Sequence, residues 1–176
     1  MQSTEQSGVR TSARVVLLDD DGAVLLLRGS DPAISDGSAP RWWFTVGGRA
    51  RPGEPLVGTA VREVAEETGL HVDPAAMVGP VWRRDAEIHF NGAVMYSDEF
   101  YFLHRTRRFE PSIAGRTELE LRYIHGHRWC DAEAIEELVN AGQRVYPVQL
   151  RELLGEAHVL ADGSAAETPA TPRPIH

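Results

Sequence analysis

Three glutamates, Glu63, Glu66 and Glu67, stand in a stretch whose apolar residues recur at helical spacing. On a helix advancing about 100° per residue, Glu66 falls about 60° to one side of Glu63 and Glu67 about 40° to the other, so the three carboxylates share one face. Val57, Ala60, Val61, Val64 and Ala65 fill the adjoining arc, the stripe that faces a core. Glu63 is i, i+3 to Glu66 and i, i+4 to Glu67, and each such like-charge pair costs a helix about 0.2–0.5 kcal/mol. A hard divalent cation, Mg²⁺ or Mn²⁺, removes that repulsion because it prefers carboxylate oxygens. Arg62 borders the same face, where a bidentate pair would orient one carboxylate. For three glutamates on a helix taken alone, a solvated acidic face is the plainer reading. What precedes the helix reverses the balance. Gly47-Gly48 permits unusual backbone angles and close approach to a ligand, and the loop Arg49-Ala50-Arg51-Pro52-Gly53 delivers Glu54 beside the helix start. There the helix dipole favours an acid in any case.

The elements that must hold this face are legible on either side of it. Thr11 to Arg28 reads as a hairpin of two continuous apolar runs, Val15–Leu18 and Val24–Leu27, joined by Asp20-Asp21-Gly22. Such runs suit strands buried on both faces. A Gly-, Ser-, Asp- and Pro-rich loop over 29–40 leads into an aromatic strand, Arg41 to Val46, ending at the double glycine. The helix is expected from Pro55 to Thr68, with Gly69 as its stop. Met77–Phe90 and Ala93–Thr106 form a second hairpin across Asn91-Gly92. A strand over Tyr123–Cys130, a helix capped by Asp131 and running to Val139, and a short last helix over Leu150–Leu154 complete the order. Strands interleaved with helices in mixed order imply an α/β fold, a mixed sheet covered by helices. The domain is expected over 10–155, with a poorly ordered tail over 156–176 rich in Ala, Gly, Ser, Thr and Pro.

Bulk properties narrow the function. A chain of 176 residues, 42% hydrophobic and 25% charged, suits one soluble domain, and it has no apolar run long enough to span a bilayer. The polar opening Met1–Gly8 carries no apolar segment, so no secretory leader is expected, and the single cysteine, Cys130, forms no intrachain disulfide. A cytoplasmic protein is the default expectation. The net charge of −8 argues against a long nucleic acid as partner, but not against a small diphosphate, because a bound cation inverts the local charge.

The segment Gly48-Arg-Ala-Arg-Pro-Gly-Glu54, seven residues, then Arg62-Glu63-Val64-Ala65-Glu66-Glu67-Thr68-Gly69-Leu70 resembles the Nudix box, G-x5-E-x7-R-E-U-x-E-E-x-G-U with U bulky and apolar. Every fixed position is present, which makes the signal far more specific than a lone glycine motif. The resemblance implies a Nudix-type α/β/α sandwich around a mixed β-sheet, with the loop–helix unit as metal and diphosphate site. It implies a metal-dependent hydrolase acting on a diphosphate bond in a small nucleotide-like substrate. Carried onto this chain, Glu63, Glu66 and Glu67 would be ligands for Mg²⁺ or Mn²⁺, joined by a backbone carbonyl at Gly47 or Gly48. Arg62 and Glu54 would orient the loop and the carboxylates. One departure is Val46, where the family often has Pro before the double glycine. The base that activates water differs between members. It is a box glutamate in some and a downstream one in others; Glu118, Glu120 and Glu99 are the downstream candidates here, each with an ordinary surface acid as the plainer reading. Trp42 and Trp43 point to opposite faces, one to the core and one to a base or sugar, and the substrate-binding set is Trp43, Arg28, Arg49 and Arg84. A homodimer is compatible with this reading.

Other signals lose out. Gly48 to Gly53 has the glycine spacing of a phosphate loop, but Glu54 stands where Lys is required. His125, His127 and Cys130 lack a fourth zinc ligand. An isopentenyl diphosphate isomerase would need a Cys ahead of the box. A non-catalytic Nudix-fold binding or regulatory module, the alternative from another class, would show an eroded box. Substrate markers outside the box are not visible: where the ADP-ribose class carries Pro, this chain has Asp85.

Overall fold

The computed structural model describes residues 8–163 and 168–176. The opening Met1–Ser7 and the tail positions 164–167, for which polar and poorly ordered chain was expected, lie outside the described residues. Eight strands form one mixed sheet: β1 (Arg10–Leu18), β2 (Val24–Ser30), β3 (Arg41–Arg49), β4 (Val78–Phe90), β5 (Ala93–Arg105), β6 (Ile124–Cys130), β7 (Arg144–Tyr146) and β8 (Arg173–Pro174). Four helices accompany them: α1 (Leu56–Thr68), α2 (Glu118–Tyr123), α3 (Ala132–Asn140) and α4 (Leu150–Asp162). The strand order is β6-β2-β3-β1-β5-β4-β8, with β7 beside β3.

The apolar runs of β1 and β2 are buried on both faces, as their composition requires. Alternate residues divide between two cores. Val16, Leu18 and Leu26 pack with α3 and α4, through Ile135, Leu138, Leu150 and Leu154. Val15, Leu17 and Leu25 pack with α1, through Ala60 and Val64. This is the expected α/β/α sandwich. The first hairpin is more open than expected: β1 and β2 pair directly only at Leu18–Val24. β3 enters between them, antiparallel to both, while β5 lies parallel along the other edge of β1. Each apolar strand thereby gains a neighbour on both sides, which a bare hairpin would deny it.

The second hairpin is as expected, with Asn91 at φ 51° and Gly92 at φ 76°, the paired positive angles of a two-residue turn that matches strand twist. Asp131 caps α3 by accepting from the Ala134 N–H. The last helix is longer than the expected Leu150–Leu154. α4 continues through Gly155 to Asp162, because Leu153, Leu154, Ala157 and Leu160 form a buried stripe that outweighs the cost of about 1 kcal/mol for one helical Gly. Farther on, Arg173–Pro174 lie parallel to β4, Ile175 donates its N–H to the Arg83 carbonyl, and its side chain is buried. No helix among the described residues is long and apolar enough to cross a membrane.

Candidate active site

α1 is seated by its apolar stripe. Ala60 and Val64 are fully buried, and burial of one Val side chain is worth about 1.5–3 kcal/mol, well above the like-charge penalty on the neighbouring face. Packing on β1 and β3 therefore turns Glu63 and Glu67 inward, toward the end of β3. Glu63 and Glu67 are buried, while Glu66 stays part-exposed.

Arg62 is the hub of this face. Its Nε and Nη2 donate to the two oxygens of Glu54 at 2.8 and 2.9 Å, and Nη2 also donates to the Arg49 carbonyl at 3.0 Å. Its Nη1 reaches Glu63 Oε1 at 2.8 Å and Glu66 Oε2 at 3.1 Å. Glu54 further accepts from the Arg51 N–H and the Thr59 hydroxyl. The Arg62 hydrogen bonds, helped by these two, hold the Glu54 carboxyl down to about 2. Glu54 is thus an anchor for Arg62 and the loop, ionised at neutral pH.

The double glycine has a steric reason. Gly47 adopts φ 143°, and a β-carbon there would stand 2.2 Å from the Ala13 carbonyl oxygen. At Gly48 a β-carbon would stand 2.7 Å from the carboxyl carbon of Glu63. The Gly47 N–H donates to Glu67 Oε2 at 2.9 Å. Burial, and next the Glu63 charge, push the Glu67 carboxyl well above its ordinary range. Burial likewise raises Glu63, against the pull of Arg62.

Glu120 arrives from the other side. It is the third residue of α2, a helix not among the expected elements, and the signal for it is Thr117-Glu118-Leu119-Glu120. The Thr117 hydroxyl accepts from the Glu120 N–H while the Glu120 carboxylate accepts from the Thr117 N–H, a reciprocal capping box. The preceding segment is tied to the end of α1: Ser112 N–H donates to the Thr68 carbonyl and Arg116 Nε to the Glu67 carbonyl. One oxygen from each of Glu63, Glu66 and Glu120 lies within 4.8 Å of the others. Glu118 is exposed on the same short helix and is not one of that group.

Beside these carboxylates opens a cleft of about 840 Å³ between β3, the β4–β5 hairpin and α2. Arg49 and Arg84 line it. Arg28 and Trp43 do not. Trp43 is buried in the core beneath α3 and α4, its Nε1 bound to Gln143, and the Arg28 guanidinium packs over its ring at 5.8 Å. The residue facing the cleft is Trp42, with Phe44, Tyr123 and Tyr146 nearby. Strand alternation made the pair readable, but not which face was which. Glu99, the third downstream candidate, is 2% exposed and fully engaged by Arg14, Arg84 and the Tyr101 hydroxyl. Arg14 was missed altogether; its one sequence signal is a charge directly ahead of the apolar run Val15–Leu18.

The family model of the NUDIX domain matches residues 8–149, and the chain belongs to the Nudix family. It is 39% identical over 69 residues to nucleoside diphosphate-linked moiety X motif 6 of Xenopus laevis, a match covering 39% of this chain and 28% of that protein. It is 43% identical over 47 residues to the 8-oxo-dGDP phosphatase of Homo sapiens, covering 24% of this chain and 15% of that one. The chain thus spans less than a third of the length of the curated relatives it matches. Among solved structures, a NUDIX hydrolase from Alicyclobacillus acidocaldarius superposes with a TM-score of 0.62 at 16% identity, covering 96% of this chain and 98% of that one. At that identity the likeness carries the fold alone.

Proposed function

We propose that this chain is a divalent-cation-dependent hydrolase that cleaves a diphosphate linkage in a nucleoside diphosphate derivative. The observation that carries the reading is the meeting of Glu63, Glu66 and Glu120, from two separate helices, at the mouth of the cleft. The donor set fits Mg²⁺ or Mn²⁺: three hard oxygens held close, Glu67 buried beside them, and a glycine at 48 that leaves the Glu63 carboxylate its room. These carboxylates would hold the cation, with the Gly48 backbone as a further proposed donor. When bound, such a cation supplies Lewis acidity and concentrated positive charge against a diphosphate.

The chain's own residues supply the rest. Arg62, anchored on Glu54, fixes Glu63 and Glu66 at set distances. Arg84 and Arg49 offer donors to phosphate oxygens at the cleft wall, and Trp42 offers an aromatic face to a base. Glu67, buried beside the carboxylate group, and Glu120 are the proposed acceptors of a proton from the attacking water. The names of the two curated relatives both concern nucleoside diphosphates, which supports that substrate class. The cleft volume suits a ligand of nucleotide size.

A screen of nucleoside diphosphate and triphosphate derivatives with Mg²⁺ and with Mn²⁺, scoring phosphate and pyrophosphate release separately, tests the reading. Hydrolysis of at least one compound that stops in EDTA is expected. Hydrolysis that persists under chelation, or none on any compound, overturns it.

A further inference from the structure

The floor of the cleft carries a buried ion pair, Arg14 and Glu99, that the proposed chemistry leaves unused. Arg14 on β1 sends Nε and Nη2 to Glu99 Oε1, each at 3.0 Å, and Nη1 to the Gly47 carbonyl at 3.1 Å. Glu99 on β5 is buried, and its other oxygen accepts from Arg84 Nη1 at 3.0 Å and from the Tyr101 hydroxyl at 3.1 Å. Burial alone would raise the Glu99 carboxyl; Arg14, then Arg84, bring it below its ordinary range. Each of its oxygens faces an arginine, so it is poorly placed to accept a proton from substrate water. Meanwhile the Gly47 N–H is held by Glu67 of α1. Gly47 is therefore gripped at both polar groups, its N–H from the helix and its C=O from β1, at a residue whose φ of 143° suits glycine alone.

We infer that Arg14, braced by Glu99, is a positioning residue: with Glu67 it locks the Gly47 backbone and so keeps Gly48 seated against the Glu63 carboxylate. The physical case lies in the geometry. A glycine pair has the largest backbone freedom of any dipeptide, so ordering it carries the largest entropic cost. The charge-assisted bond from Arg14 to the Gly47 carbonyl and the bond from the Gly47 N–H to Glu67 together oppose that freedom. The arginine fork is what lets one side chain grip both Glu99 and the carbonyl, a task a single ammonium performs poorly. Glu99 thus matters to turnover through Arg14, not by touching the reacting atoms. The effect on turnover rests on the hydrolase reading; the backbone lock does not.

The test uses the double variant Arg14→Met/Glu99→Gln, which removes both charges of the pair together; Arg84 loses its carboxylate and keeps the amide oxygen of the replacing glutamine as acceptor. Amide hydrogen exchange is read at Gly47 and Gly48, with Leu25–Leu27 of β2 as internal control. Exchange at the two glycines should rise about tenfold or more while the control is unchanged. With a substrate from the screen, kcat should fall about tenfold or more and KM should move by less than about threefold, as for an interaction realised in the transition state. Arg14→Lys, which keeps the charge and one donor, should recover part of both effects and supplies the same readouts if the double variant does not fold. Unchanged exchange at Gly47 and Gly48 overturns the lock. Faster exchange with unchanged kcat overturns the positioning role. A wild-type protein inactive on every compound defeats the hydrolase reading, and the exchange result then decides the lock by itself.

Discussion

The carboxylate of Glu63 lies against the α-carbon of Gly48, so close that a β-carbon at position 48 would stand 2.7 Å from both its carboxyl carbon and Oε1. The contact is with the end of a flexible side chain, so Gly48→Ala displaces the carboxylate without breaking the backbone. The expected outcome is a split. The melting temperature should change by no more than a few degrees, an effect of about 1 kcal/mol or less, while kcat falls about tenfold or more. A variant with normal turnover would show that the position of the Glu63 carboxylate is unimportant.

Glu118 and Glu120 are neighbours on α2 with different surroundings, and single Gln replacements separate them. Gln serves at the third helical position of a capping box, so Glu120→Gln keeps the helix and removes one charge from the carboxylate group. Turnover should drop by about two orders of magnitude for Glu120→Gln, the scale of a general base or an electrostatic contact, and stay near normal for Glu118→Gln. The reverse ranking would contradict the geometry.

Glu67→Gln should stabilise the metal-free protein, because the wild-type carboxylate is buried and pushed well above its ordinary value of 4.5, while Gln can still accept from the Gly47 N–H. The sign follows from linkage. A carboxyl whose folded pKa is raised has no ionisation penalty below 4.5, and the penalty grows as pH rises through the folded value. Melting curves of the two proteins in EDTA should therefore coincide most nearly in acid and diverge above it, with the variant higher. A variant less stable than wild type at neutral pH would count against a buried, destabilising charge.

Local chemistry made much of this molecule legible from its residues, and long-range chemistry made the rest illegible. The α1 face, the Asn91-Gly92 turn and the Asp131 cap each rest on residues a few positions apart, and all three stand in the structure. The choice between Trp42 and Trp43 depends on which side of the sheet receives α1, a matter of tertiary assembly. Arg14 and Glu99 are 85 residues apart and meet only because β1 and β5 pair in parallel, a crossover no local pattern announces. The short helix α2 carried a readable capping box at Thr117 but no apolar run, so nothing in its periodicity marked it as a helix. The last helix, expected over Leu150–Leu154, runs on to Asp162 because its buried stripe continues past Gly155.

The central claim is that the glutamates of α1 and α2 form a cation site that hydrolysis depends on, and Glu66→Gln tests it most directly. Glu66 is the least buried box glutamate of the group, so its replacement disturbs packing least. Mn²⁺ is titrated calorimetrically into wild type and variant without substrate, alongside melting temperatures in EDTA and turnover of the best compound from the screen. The account predicts cation affinity weakened about tenfold or more, kcat reduced by about two orders of magnitude or more, and a metal-free melting temperature equal to wild type within a few degrees. Unchanged Mn²⁺ affinity together with unchanged turnover would contradict it.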